Sequence, residues 1–470
     1  MRVTAPRKTA QPGRALPVPS QPSGVAGRPA GILALAWPSL VENLLLLAMS
    51  MASLMMVGRL GPAAMAGVGI ANQVAMALQV VFMGLSVGNT ALVARSVGAG
   101  RTDAACAATR QALLLGGALS VALAVVCFPV APRILALFGA APEVVANGTV
   151  YLRAILVTLP LLGLGLLANG TLRGAGDTRT PMWATGAANL VNVAVAYPLI
   201  FGLGPLPALG LAGAALGLAA GRTLACLFSL YALAVRRVGP LAGAFGSVAD
   251  WRPDGAMVRR LVAVGGPAAG ESGSIQVGML LFSVMVIHLG TAAFAAQQVV
   301  FNAASLSMMP GLAFSVAATT LVGQRLGAGD PQGAARSGWQ STVAAAGWMS
   351  LAGLGFLLFP EPILRLYTSD PAVIAAGVAG IRVVGIGQPL QAAAFVLAGA
   401  LRGAGDTRTT LLVGGASVWG VRLTLAYTFG LALGWGIPGV WIGWCSDWCV
   451  RGLAFLWVFR RGRWQHLRGE

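Results

Sequence analysis

Of the thirteen acidic side chains in this 470-residue chain, three stand inside long apolar runs: Glu42, Glu271 and Asp447. An ionisable group within a membrane-spanning helix costs about 3 kcal/mol or more, so each one needs a reason to be there. A carboxyl withdrawn from water favours its neutral form, which suits a group that takes up a proton on one side of a barrier and releases it on the other. Glu42 and Glu271 each follow a proline by four residues, Pro38 and Pro267. Counted from the start of its apolar run, each lies about 16 Å along a helix, near the bilayer midplane. Sodium would need several further oxygens, so a proton is the favoured ion and sodium the alternative. The bland reading is structural: Glu42 and Glu271 are each hydrogen-bonded to a neighbouring helix or paired with Arg222 and Arg451. Asp447 has Arg451 four residues on along the same helix face and Arg422 in the preceding run, which makes a structural ion-paired trio its simplest reading.

The elements that must hold these acids are membrane spans. Charged residues are 9% of the chain, against about 25% in soluble domains, whereas 57% are hydrophobic and the mean hydropathy is +0.79. That is enough apolar chain for a dozen segments of about 20 residues. A soluble enzyme and a disordered regulator are excluded, and five cysteines make no disulfide framework. No metal-binding spacing and no cofactor motif occurs. The net charge of +18 is spread between apolar runs instead of lying on one face, so it implies no nucleic-acid partner.

Apolar runs lie near 31–57, 64–92, 106–131, 144–169, 181–203 and 208–234, then 261–287, 293–321, 337–359, 372–400, 410–433 and 437–459. The two sixes are copies, because a shift of 229 positions brings the first onto the second without a gap. LRGAGDTRT at Leu172–Thr180 recurs whole at Leu401–Thr409, and Pro38, Glu42, Arg153 and Arg222 recur as Pro267, Glu271, Arg382 and Arg451. The domain reading is a disordered tail (1–30), an N-lobe (31–234), a charged linker (235–260), a C-lobe (261–459) and a second tail (460–470). Placing the N-terminus in the cytoplasm puts 22 of the 31 Lys and Arg in inside segments and three in outside loops, so both termini are expected inside the inner membrane. Two parallel six-helix repeats of this kind are transporter architecture.

The residues that recur in the loops carry a resemblance. LVARSVGAG (Leu92–Gly100) with its repeat LVGQRLGAG, LRGAGDTRTP (Leu172–Pro181), PSLVENLL (Pro38–Leu45), MVGRLGPAA (Met56–Ala64), DWRPD (Asp250–Asp254) and AAFAAQQV (Ala292–Val299) resemble the multidrug and toxic compound extrusion (MATE) family. The resemblance covers residues 31–459. It implies an all-α integral membrane fold of twelve helices in two lobes around a central cleft. The function it implies is efflux of organic, amphipathic cations in exchange for protons or sodium, by a monomer. A flippase for a lipid-linked intermediate of the same superfamily is the alternative. The glycine loops lack the GxxxxGKS/T pattern, so no nucleotide is implied.

The chain departs from the family where coupling acids usually stand. Ser53 and Ala196 occupy the positions of the N-lobe aspartates, Ile275 that of a span 7 glutamate, and no acid lies in span 10. Polar residues in apolar runs are candidates for the substrate cleft: Asn72, Gln73, Asn189, Asn192, Gln297, Gln298, Asn302, Gln388 and Gln391. Trp419, Trp435, Trp441, Trp444, Trp448 and Trp457 fit interface anchoring.

Overall fold

The structure is a computed structural model that describes residues 29–202, 207–235, 241, 246 and 248–467. Most of the tail assigned to 1–30, much of the linker 235–260 and the last three residues of the tail 460–470 lie outside the described residues. Among the described residues the chain is helical, with no strand.

Each lobe begins with a long helix, α1 (Pro29–Gly58) and α8 (Gly255–Ile287). The N-lobe continues through α2 (Pro62–Gly98), α3 (Thr102–Ala136), the pair α4 (Pro142–Val157) and α5 (Leu159–Ala175), α6 (Arg179–Phe201) and α7 (Leu211–Val235). The C-lobe continues through α9 (Thr291–Gly327), α10 (Pro331–Leu358), the short α11 (Pro360–Arg365), α12 (Pro371–Gly403), α13 (Thr407–Ser417) and α14 (Ile437–Arg461). Ten of these units are long and apolar enough to cross a membrane, and α4 with α5 makes an eleventh, bent by 49°. The twelfth is α14, whose 25 residues include Asp447 and Arg451. α13 runs on into two wide, π-helical stretches, Val418–Leu423 and Ala426–Ala432, a local widening that often marks functional sites.

The duplicated LRGAGDTRT segment punctuates helices in the same way twice. Gly176 (φ 95°) and Gly405 (φ 86°) take the left-handed conformation that stops α5 and α12, which a side chain would strain. The next residue then caps the following helix: Asp177 Oδ1 accepts from the backbone N–H groups of Arg179 and Thr180, and Asp406 Oδ1 from that of Thr409.

The lobes have separate apolar cores, with one exchange at each start. Ile32, Leu35 and Ala36 at the beginning of α1 belong to the core of the C-lobe, against Phe314, Ala317 and Leu321 of α9. Leu261 of α8 belongs in turn to a cluster with Leu85, Leu113 and Leu167 of the N-lobe. On this side, which carries the arginine-rich loops, the lobes also meet backbone to backbone. A Cβ on Gly98 would stand 1.9 Å from the Gln324 carbonyl oxygen, and one on Gly327, its repeat equivalent, 2.0 Å from that of Arg95. The half of the N-lobe away from these loops has a core of its own, around Phe82, Leu152, Leu156 and Ala196, with no C-lobe member.

Candidate ion-coupling site

Glu42 and Glu271 do not pair with Arg222 and Arg451. The side chain of Glu42 is 5% exposed, and its Oε1 accepts a hydrogen bond from Arg173 Nη2 at 2.6 Å. Glu271, 4% exposed, accepts from Arg402 Nη2 at 2.7 Å and from Arg402 Nε at 3.3 Å. Each pair spans 131 residues of chain, and the two pairs are repeat equivalents. The arginines come from the last turns of α5 and α12, inside the duplicated segment that reads from sequence as a turn. That places the glutamates within reach of the helix ends that carry the arginine-rich loops. Thr185, whose hydroxyl is 3.4 Å from Glu42 Oε1, lies only six residues, about 9 Å, into α6.

The two pairs differ in their surroundings. Thr185 is replaced in the C-lobe by Gly414, which offers Glu271 no hydroxyl, and there the arginine closes with two nitrogens instead of one. Arg173 also ties its lobe to the other. Its carbonyl accepts from Thr320 Oγ1 (2.9 Å), and that of Gly174 accepts from Gln324 Nε2 (3.0 Å). Ion pair and lobe contact therefore share Arg173, with Gly174 adding to the lobe contact.

Asp447 is held differently. It accepts from Arg451 Nε and Nη2 (both 2.8 Å), from Arg422 Nη2 and from the Ser417 hydroxyl, all in the buried interior of the C-lobe. The Arg422 guanidinium lies over the Trp444 ring at 4.1 Å and Arg451 over Trp448 at 4.7 Å. Trp441, Trp444 and Trp448 are buried, so the expectation of interface anchoring is corrected for these three; Trp419, Trp435 and Trp457 are exposed. The tryptophan faces offset part of the cost of burying two guanidinium groups against one carboxylate.

The polar cleft candidates scatter. Asn72, Gln298 and Asn302 are exposed and Gln73 half-buried, with Asn302 donating to the Gln298 carbonyl of its own helix. Asn189 bridges α6 to the Leu45 carbonyl of α1 at 2.7 Å, a structural contact. Gln297, Gln388 and Gln391 are buried in the C-lobe, where both polar atoms of the Gln388 amide and Gln297 Oε1 have no partner. Asn192 is buried in the N-lobe, lining a small cavity with Ser53, Tyr151 and Ala196. Sequence reasoning missed Arg173, Arg402 and Thr185. A signal was present, since the separation from glutamate to arginine is the same in both repeats.

The model of the MatE family matches residues 38–198 and again 267–428, one match per lobe. The chain belongs to the MATE family. Family members are transporters, not enzymes. The chain is 32% identical over 438 residues to a probable multidrug resistance protein NorM of Thermotoga maritima, covering 92% of each. It is 34% identical to a protein of the same description from Pseudomonas aeruginosa (88% of this chain, 85% of that one) and 30% identical to multidrug resistance protein PmpM of the same organism (88% and 87%). Among solved structures, an outward-facing conformation of a multidrug resistance MATE family transporter superposes with a TM-score of 0.86 at 23% identity, covering 93% of this chain and 96% of that one. A MOP superfamily transporter of Pyrococcus furiosus, described as having a binding pocket of reverse polarity, superposes with a TM-score of 0.85 at 22% identity over 94% and 98%. These likenesses carry the two-lobed fold. This MATE chain is thus a multi-pass membrane transporter whose recurring acids within helices are Glu42 and Glu271.

Proposed function

We propose that this chain is a multidrug efflux antiporter of the inner membrane. It exports organic, amphipathic cations in exchange for protons, with both termini and the arginine-rich loops in the cytoplasm. The relatives named for multidrug resistance support the substrate class, and the distribution of Lys and Arg supports the orientation.

The observation that carries the coupling is the repeated glutamate–arginine pair. A guanidinium at 2.6–2.7 Å from each carboxylate disfavours sodium, because a second cation would have to displace the first. A proton does not compete for space; it neutralises the carboxylate and removes the attraction that holds Arg173 or Arg402. Since the Arg173 and Gly174 carbonyls also accept from Thr320 and Gln324, releasing Arg173 loosens the closed cytoplasmic side. The lobes then rock about the contact between α2 and α9, and the cleft changes the side to which it opens.

The test is uptake of a fluorescent organic cation into inside-out vesicles, driven by an imposed proton gradient or an imposed sodium gradient. Proton-driven uptake is expected in the wild type and lost in Glu42→Gln or Glu271→Gln. Variants that transport like the wild type would return both glutamates to a structural role, and sodium-driven uptake would replace the proton.

A further inference from the structure

The N-lobe contains a half-buried guanidinium that, among the described residues, pairs with no carboxylate. Arg222 of α7 donates from Nη1 to Thr158 Oγ1 (2.9 Å) and to the Ile155 carbonyl (3.4 Å), both neutral acceptors. Its repeat equivalent, Arg451, has Asp447 one turn back on the same helix, and the residue one turn back from Arg222 is Leu218. The acid that balances the C-lobe guanidinium therefore has no counterpart.

A cavity occupies the corresponding place. It is lined by Ser53, Met56, Tyr151, Asn192, Ala196 and Leu218 among others, and no lining residue is acidic. Leu218 and Arg222 share a face of α7, as Tyr151, Ile155 and Thr158 share a face of α4, so the cavity lies one turn from the guanidinium. The Tyr151 phenol is within electrostatic reach of Arg222. Tyr151 and Asn192 are each 5% exposed, and among the described residues neither the phenol nor the side-chain amide meets a hydrogen-bond partner. Two unused donors thus line a space next to an unbalanced positive charge. In the C-lobe the corresponding position is filled by a ring, because Phe282 stands where the N-lobe has Ser53, packs against Trp444 and is 1% exposed.

We propose that this N-lobe cavity is a binding site for a small monovalent anion of halide size, which takes the part that the Asp447 carboxylate plays in the other lobe. The cavity holds about 10 Å³ for the centre of a water-sized sphere, room for a single water or, with a slight shift of the flexible Met56, a single halide. Tyr151 and Asn192 supply the hydrogen bonds and Arg222 the charge. Filling the site neutralises the Arg222 charge inside the N-lobe. The site stands whether or not Glu42 carries the coupling proton.

The test uses the purified full chain in detergent, with thermal unfolding followed in sodium chloride, sodium bromide or sodium gluconate at constant ionic strength. The wild type is expected to unfold several degrees higher in either halide than in gluconate. Leu218→Asp installs an internal counter-charge one turn from Arg222, as in the C-lobe, and is expected to be insensitive to the choice of anion; Arg222→Gln is expected to be equally insensitive. Crystals of the wild type grown in bromide should show an anomalous peak between Tyr151, Asn192 and Arg222. A wild type indifferent to halide, a Leu218→Asp variant that still responds, or an empty cavity in bromide would each overturn the proposal and leave the space to water.

Discussion

Arg173 meets Glu42 with its side chain and Thr320 with its carbonyl, so one residue closes an ion pair within its own lobe and a hydrogen bond to the other. Neutralising the glutamate and parting the lobes are for that reason not independent events. The charge change acts on the chain segment that forms the seal.

A double-mutant cycle at this pair measures the link. Removing one member of a buried pair leaves the other uncompensated and costs about 3–5 kcal/mol, and the 25% exposure of the Arg173 side chain lowers that cost. Glu42→Gln and Arg173→Gln are each expected to lower the unfolding temperature, and the double variant to lose clearly less than the sum of the two.

The same substitution at two glycines is expected to act in opposite directions. Gly327→Ala puts a methyl group 2.0 Å from the Arg95 carbonyl oxygen and must part α2 from α9. Spin labels at Arg101 and Gln332 should then show a longer distance distribution than in the parent. Gly414→Ala meets Glu271 at 3.4 Å, an ordinary contact, and gains up to about 1 kcal/mol of helix propensity. It should transport normally and unfold no lower than the wild type.

Asp447→Asn separates structure from coupling. It leaves Arg422 and Arg451 buried with no counter-ion, at a cost of about 3–5 kcal/mol. The expected result is poor folding yield, with Arg422→Met in the same chain restoring part of it. A well-folded Asp447→Asn protein with an altered pH profile of transport would move this aspartate into the coupling machinery.

The lobes and the register of the duplication were legible in sequence because apolar period and identical loop words are properties of the chain itself. The partners of Glu42 and Glu271 were not. A pairing between α1 and α5 depends on which helices pack side by side and how far an arginine reaches, which positions along the chain do not state. The tryptophans of α14 misled for a related reason. At a helix end such rings anchor the interface, but Trp444 and Trp448 lie against guanidinium groups that composition alone does not place inside, and Trp441 packs edge-on to Trp444. Asp447 was readable in part, because its partner Arg451 lies one turn away on the same helix.

The exchange of helix starts between the lobes makes each half of the chain an unfinished protein. Made alone, the N-terminal half would leave Ile32, Leu35 and Ala36 bare, and the C-terminal half would leave Leu261 bare. Each bare strip is apolar and matches a groove on the other half. Two polypeptides split between positions 236 and 247 and made in the same cell should therefore find each other and rebuild the transporter, whereas either one alone should be degraded. An ancestral single-lobe protein with this helix start would have met the same demand by pairing with a second copy of itself.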